Sequence, residues 1–220
     1  MIDWQTIKTV LLDMDGTLLD LHFDNYFWLT HLPERLAEHR GQKIEELKPD
    51  FDKLIASEQG SLNWYCVDFW SETLGVDIKS LKEEVQHLIA FRPHVEHFLE
   101  ALKHTDHRVV LVTNAHRKSL DIKLALTHLD RHLDAMICSH DFGVPKEDMS
   151  FWHKLHEVEP FDPESTVLID DSLAVLDSAR KYGIKHLLTI LQPDSKQPER
   201  AAGNYKAIDS FHRIIPDKTK

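Results

Sequence analysis

Seven side chains, in four separate stretches, have the types and spacing for chemistry. Asp13 and Asp15 stand one residue apart in DMDGT, with Gly16 and Thr17 directly behind them. Thr113 and Asn114 close VVLVTN, Lys146 lies in GVPKED, and Asp170 and Asp171 close TVLIDD. Carboxylates packed together raise one another's pKa values, so a cluster of this kind is untenable without a cation. A hard divalent ion such as Mg²⁺ resolves the conflict, because it takes one or two carboxylates and fills its shell with water and a phosphate. A lysine adds a second positive charge. A threonine hydroxyl and nearby backbone N–H groups can hold phosphate oxygens. The set implies phosphoryl transfer, which needs positioning, charge stabilisation and one nucleophile.

That chemistry requires the four stretches to meet, and the surrounding sequence says how. Five runs read as strands: residues 9–15, 108–114, 134–140, 165–170 and 185–191. Most are near-continuously apolar rather than alternating, the pattern of a parallel sheet covered on both faces. The segments between the last four read as helices, one of them ending at Gly183, a good C-terminal stop. Strand–helix alternation predicts a doubly wound α/β sheet with right-handed crossovers. Each candidate residue then falls at the carboxyl end of a strand or on the loop after it, the edge where such sheets bind ligands. The clusters converge if the first strand lies between the second and the fourth. Side chains at i and i+2 of a strand share a side, so Asp13 and Asp15 are expected to project together. Gly16 permits the turn after them.

From about residue 21 to 91 the sequence carries only helical patterns. That is too long for a crossover and reads as an insertion, with Arg92-Pro93 as the point of re-entry. The expected division is an α/β core of residues 1–20 and 92–220 and a helical cap domain of residues 21–91. LQPDSKQPER, residues 191–200, reads as a polar surface loop, and PDKTK, residues 216–220, as a frayed tail.

Composition narrows the partners. The 220 residues carry a net charge of −11, which argues against a nucleic acid polymer or an anionic membrane surface and leaves room for a small phosphorylated metabolite. No apolar run approaches the ~18 residues of a membrane span, and the first residues lack the basic and apolar regions of a signal peptide, so a cytoplasmic protein is expected. Cys66 and Cys138 lie outside any CxxC pattern and read as reduced thiols. The pairs His94/His97, His104/His107 and His153/His156 lack HExxH and a third ligand, so zinc is not expected. His116, just after Thr113-Asn114, is a candidate substrate contact. Walker A and GxGxxG patterns are absent.

DMDGTLLD, LVTNA, GVPKEDMSFW and LIDDS resemble, in order, the four motifs of the haloacid dehalogenase superfamily of phosphohydrolases, over residues 13–172. The resemblance implies a Rossmann-like core and a C1 helical cap that closes over the substrate. It implies that Asp13 is the nucleophile and forms an aspartyl-phosphate. Asp15 would be the general acid and then the base. Thr113 would bind phosphate with the backbone around Asn114, and Lys146 would stabilise charge. Mg²⁺ would be held by Asp13, the Asp15 carbonyl and Asp170, with Asp171 acting through water. LHFDNYFW, LNWYCVDFWSETLG and TNAHRKSL are further similar to the bacterial purine 5′-nucleotidases that act on GMP and IMP. The purine expectation rests on that likeness alone. A sugar-phosphate phosphatase, a phosphomutase and a non-catalytic phosphometabolite-binding module stay open, as does the choice between monomer and weak homo-oligomer. Of the cap aromatics Phe23, Tyr26, Phe27, Trp28, Trp64, Tyr65, Phe69 and Trp70, most are expected in a helical core, and one or two near DNYFW or NWYC are expected to face the site.

Overall fold

The β-branched and leucine-rich runs form the centre of the molecule. In a computed structural model, which describes residues 2–216, they are β1 (Thr9–Leu12), β2 (Arg108–Thr113), β3 (Ala135–Cys138), β4 (Thr166–Ile169) and β5 (His186–Ile190). A short sixth strand, β6 (Lys206–Ile208), adds to β5. All pairings are parallel and the order is β3-β2-β1-β4-β5-β6, so β1 lies between β2 and β4. The register sets Leu12 beside both Leu111 and Ile169, which brings three strand ends level. Both faces are covered, as the continuous apolar runs require. Val10 and Leu12 face α6 (Val95–Leu102) and Leu120 of α7 (Arg117–Thr127), while Leu11 faces α9 (Met149–Val158) and α10 (Leu173–Tyr182). A single helical turn, α8 (Ser139–Phe142), follows β3.

Two of the strand expectations need correction. β1 stops at Leu12 rather than running to residue 15, so the alternation of side chains does not extend through Asp15. β6 escapes notice in the sequence because three residues, Lys-Ala-Ile, are too few to show a period.

Between His22 and Leu88 the regular elements are all helical. The chain forms α1 (His22–Tyr26), a π-type turn (Phe27–His31), α2 (Leu32–Arg40), α3 (Ile44–Ser57), a 3₁₀ turn (Leu62–Tyr65), α4 (Val67–Leu74) and α5 (Ile78–Glu84). These helices bury their own apolar cluster around Phe23, Phe27, Leu36, Phe51, Trp70 and Ile78. The chain leaves and re-enters the sheet side by side. Leu19 pairs antiparallel with Phe91, Asp20 N–H donates to Ala90 O (2.9 Å) and Arg92 N–H donates to Leu18 O (3.0 Å).

Residues 191–200 are not merely a surface loop. Pro193 O accepts from Leu21 N–H (3.0 Å), the buried Asp194 accepts from Asn25 Nδ2 (2.7 Å), and Asp20 Oδ1 accepts from Ser195 N–H (3.0 Å). The polar composition that reads as solvent-facing is used instead to tie this loop to the start of the helical insert. Of the expected tail, residues 217–220 lie outside the described residues. Among the described residues, no helix is long and apolar enough to cross a membrane.

Candidate active site

Asp13 emerges directly from β1, and its N–H still donates to Ile169 O at 3.0 Å. The chain then curls tightly, with Met14 O accepting from Leu18 and Leu19 N–H groups (2.9 and 2.8 Å). Gly16 has φ +83°, and a Cβ there would sit 2.7 Å from Asp171 Oδ2. Both the left-handed backbone and the close approach disfavour a side chain. Thr17 Oγ1 accepts from Asp171 N–H (3.1 Å), so the loops after β1 and β4 are joined directly.

Lys146 is almost wholly buried, and all three of its ammonium protons have acceptors: Asp13 Oδ1 at 2.6 Å, Asp170 Oδ2 at 2.7 Å and Val112 O at 3.0 Å. The loop that delivers it is pinned by Asn114. Asn114 Oδ1 accepts from Lys146 N–H (2.9 Å) and its Nδ2 donates to Glu147 Oε2 (2.8 Å). Glu147 Oε1 in turn accepts from Tyr65 Oη–H (2.7 Å). The Asn114 side chain is therefore engaged in holding the lysine loop. Asp148 caps α9 by accepting from Ser150 N–H (2.8 Å), which fixes where that loop ends. Ser172, rather than either aspartate before it, caps α10, and Asp170 Oδ1 braces it by accepting from Ser172 N–H (2.9 Å).

Asp13, Asp170 and Asp171 each offer an oxygen within 4.8 Å of the other two. Asp13 Oδ2 is buried with no hydrogen-bond partner. Burial, with repulsion from Asp170, pushes Asp13 up to about 7 despite Lys146. Burial and the adjacent Asp171 push Asp170 up to about 6. Burial and Asp13 push Asp171 up to about 7, although Arg200 lies 2.7 Å from its Oδ2. Burial alone would lower Lys146, but Asp13 and Asp170 raise it instead. An orphaned carboxylate oxygen among three carboxylates that resist ionisation is a donor set that fits a hard divalent cation such as Mg²⁺. Arg200 had no signal in the sequence, since it sits in the stretch read as a surface loop.

Asp15 does not join that cluster. Its Oδ1 lies 2.6 Å from Lys123 Nζ, Lys123 reaches Asp24 Oδ2 at 2.7 Å, and Lys82 reaches Asp24 Oδ1 at 2.7 Å. Burial raises the Asp15 pKa. Burial would raise Asp24 as well, but Lys123 and Lys82 hold it far below the usual carboxylate range. Lys82 also lies over the rings of Phe27, Phe23 and Trp28 at 4.6, 4.9 and 5.6 Å. Sequence reasoning missed Asp24, Lys82 and Lys123. The sequence carried only a weak signal: Lys82 is four residues from the buried Ile78 and Lys123 three from the buried Leu120.

All seven expected residues line one cavity of about 340 Å³. Asp13, Asp15, Thr113, Asn114, Lys146, Asp170 and Asp171 line it from the sheet side, and Trp28, Leu29, Ile55, Trp64, Tyr65 and Trp70 from the insert. Three of the eight aromatics of the insert, Trp28, Trp64 and Tyr65, thus face the site, one more than expected at most, while Trp70 is wholly buried with Phe23 and Phe27 in the helical cluster. Thr113 Oγ1 accepts from Ala115 N–H at 3.0 Å and keeps its own proton to donate. His116 lines the cavity, and its Nδ1 also accepts from Lys118 N–H (3.3 Å) at the start of α7. Cys66 and Cys138 are free thiols.

Comparison with known proteins agrees with this geometry. Residues 10–189 match the model of the haloacid dehalogenase-like hydrolases. The chain is 43% identical over 215 residues to the GMP/IMP nucleotidase YrfG of Escherichia coli (strain K12), covering 98% of this chain and 97% of that protein. The protein of the same name in Shigella flexneri is equally similar, at 43% over the same 215 residues and the same shares of both chains. Among solved structures, the HAD phosphatase from Thermococcus onnurineus superposes with a TM-score of 0.78 at 23% identity, over 94% of this chain and 96% of that one. The L-2-haloacid dehalogenase from Xanthobacter autotrophicus, with chloropropionic acid covalently bound, has the same fold. Its TM-score is 0.63 at 14% identity, over 95% of this chain and 97% of that one. With the four motifs gathered on one sheet edge and the family match spanning most of its length, the chain belongs to the haloacid dehalogenase-like hydrolases.

Proposed function

We propose that the protein is a Mg²⁺-dependent phosphomonoesterase that hydrolyses a purine nucleoside 5′-monophosphate through an aspartyl-phosphate on Asp13. The observation that carries this reading is the free, buried Oδ2 of Asp13, a residue that lines the cavity, with its Oδ1 held by Lys146. Asp13 Oδ2 attacks phosphorus while the bond to the ester oxygen breaks, and Asp15 gives that oxygen its proton. Asp15, now ionised, takes a proton from the water that attacks the aspartyl-phosphate, which returns Asp13 and releases inorganic phosphate. Lys146 and the Thr113 hydroxyl stabilise charge on the transferring group. A Mg²⁺ ion held by Asp13, Asp170 and Asp171, with the Asp15 carbonyl, would neutralise charge on the phosphoryl oxygens.

Residues 21–91 act in this reading as a cap domain that excludes water and holds the leaving group. Its three cavity-facing aromatics, Trp28, Trp64 and Tyr65, suit a flat purine base, and the relative of 43% identity is by name a GMP/IMP nucleotidase. We place the protein in the cytoplasm, as a monomer or weak homo-oligomer acting on a small phosphorylated metabolite. The test is phosphate release from nucleoside monophosphates and sugar phosphates, in Mg²⁺ and in EDTA. GMP and IMP are expected to be hydrolysed fastest, and only with Mg²⁺. Equal turnover of hexose phosphates would overturn the nucleotide assignment, and silence towards every monoester would overturn the enzyme assignment.

A further inference from the structure

Four titratable side chains form a line from the cap to the candidate acid: Lys82, Asp24, Lys123 and Asp15. Their three links measure 2.7, 2.7 and 2.6 Å. Lys82 and Asp24 come from the helical insert, and Asp15 and Lys123 from the sheet domain side. Both lysines are buried, at 2% and 1% relative exposure. Charges this far from water need a reason, because ion pairs in such settings are often no more stable than apolar replacements. Stability alone does not explain this line. It ends on the residue proposed to protonate the leaving oxygen, and Asp15, Asp24 and Lys82 all line the substrate cavity.

We propose that Lys123 is a positioning residue: it aims the Asp15 carboxyl at the leaving oxygen, and Asp24 with Lys82 fixes Lys123 only where the cap is seated on the sheet. The proposal rests on the phosphomonoesterase reading. Lys123 has few other ways to be held. Its nitrogen lies against Asp15, Asp24 and the Phe23 ring (5.3 Å to the centroid), and two of those three come from the insert. A seated cap thereby fixes the acid, and the direction of its proton, at the moment when water is excluded. Each carboxylate keeps a second oxygen for work elsewhere or a second partner: Asp15 uses Oδ1 on Lys123, and Asp24 uses one oxygen for each lysine.

The test exploits leaving groups. A nucleoside 5′-oxygen departs poorly without a proton, whereas p-nitrophenolate departs as its anion and needs no acid. The parameter kcat/KM reports the steps up to aspartyl-phosphate formation. Lys123→Met is expected to lower kcat/KM for GMP by ~100-fold, the scale of general acid catalysis, and that for p-nitrophenyl phosphate by less than ~3-fold. Asp15→Asn serves as the benchmark for this pattern. The double variant Asp24→Asn/Lys82→Met removes a neutral pair, keeps Lys123 and Asp15, and is expected to show the same selective loss at ~10-fold. It also keeps the question open to experiment if Lys123→Met fails to fold, as judged by circular dichroism. Equal losses on both substrates, or no loss on either, would overturn the positioning role while leaving the phosphatase intact. A double variant indistinguishable from wild type would overturn the part played by the cap. If wild type hydrolyses neither substrate, the phosphomonoesterase reading falls, and this inference with it.

Discussion

At the scale of single residues, two carboxylates that stand one residue apart in sequence have separate partners. Asp13 is held by Lys146 and keeps one oxygen free, and Asp15 is held by Lys123. Replacing Asp13 by Asn removes the proposed nucleophile, so phosphate release should fall by at least ~10³-fold, measured with GMP at saturating Mg²⁺. Asp15→Asn should act differently, by slowing both steps and leaving a detectable phosphoryl group on the protein after an acid quench, read by mass spectrometry. Gly16 gives a third prediction. An alanine there must adopt φ +83° and meet Asp171 Oδ2 at 2.7 Å, a strain of about 1–3 kcal/mol. Gly16→Ala should lower the melting temperature and weaken Mg²⁺ activation, because relief comes most readily by moving Asp171.

At the scale of elements, β1, β2 and β4 level their carboxyl ends, and the loops beyond them do the rest. The strands were legible because runs such as Val109–Val112 are short, rich in β-branched residues and without a polar break, the pattern of a strand buried on both faces. Lys146 was legible only in the company of the other motifs. The contacts of residues 191–200 were not legible because Asp20, Asn25 and Asp171, which their polar groups meet, are distant in sequence. The 3₁₀ turn Leu62–Tyr65 brings Trp64 to the cavity wall and Tyr65 to Glu147. Stacking of a base on an aromatic ring contributes about 1–3 kcal/mol. Trp64→Ala should therefore raise KM for GMP by ~5-fold or more and leave kcat/KM for p-nitrophenyl phosphate nearly unchanged, measured by parallel steady-state assays.

At the scale of the whole molecule, the carboxylate cluster links stability to pH and, in the proposed reading, to metal. Asp13, Asp170 and Asp171 are raised in the fold to about 7, 6 and 7 from an ordinary value of 3.8. A raised carboxyl keeps its proton in the folded chain at pH values where the unfolded chain has lost it. The folded state then binds more protons, so this contribution to stability falls as pH rises from about 4 to about 7. His140, pushed by burial down to about 4, titrates in the opposite sense over part of that window. The two are separated by adding Mg²⁺, which in the proposed reading would bind the ionised carboxylates and leave His140 alone. The rise in melting temperature on adding Mg²⁺ should be small near pH 5 and should grow through pH 7.5, read by scanning calorimetry against EDTA controls. A rise independent of pH would place the ion elsewhere.

Read on its own, the sequence determined the parallel sheet, the helical insert and the set of acids and one lysine on a single sheet edge. Those features follow from local rules: apolar runs make buried strands, and short links put polar residues at strand ends. Tertiary structure alone decided which charge meets which. Asp15 turns to Lys123, Asp171 to Arg200, and Asp24 joins Lys82 of the insert to Lys123 of the core across 58 and 99 residues of chain. Ion pairing in a buried setting depends on distance in space and on the loss of water, and neither is written in the spacing of residues along a chain.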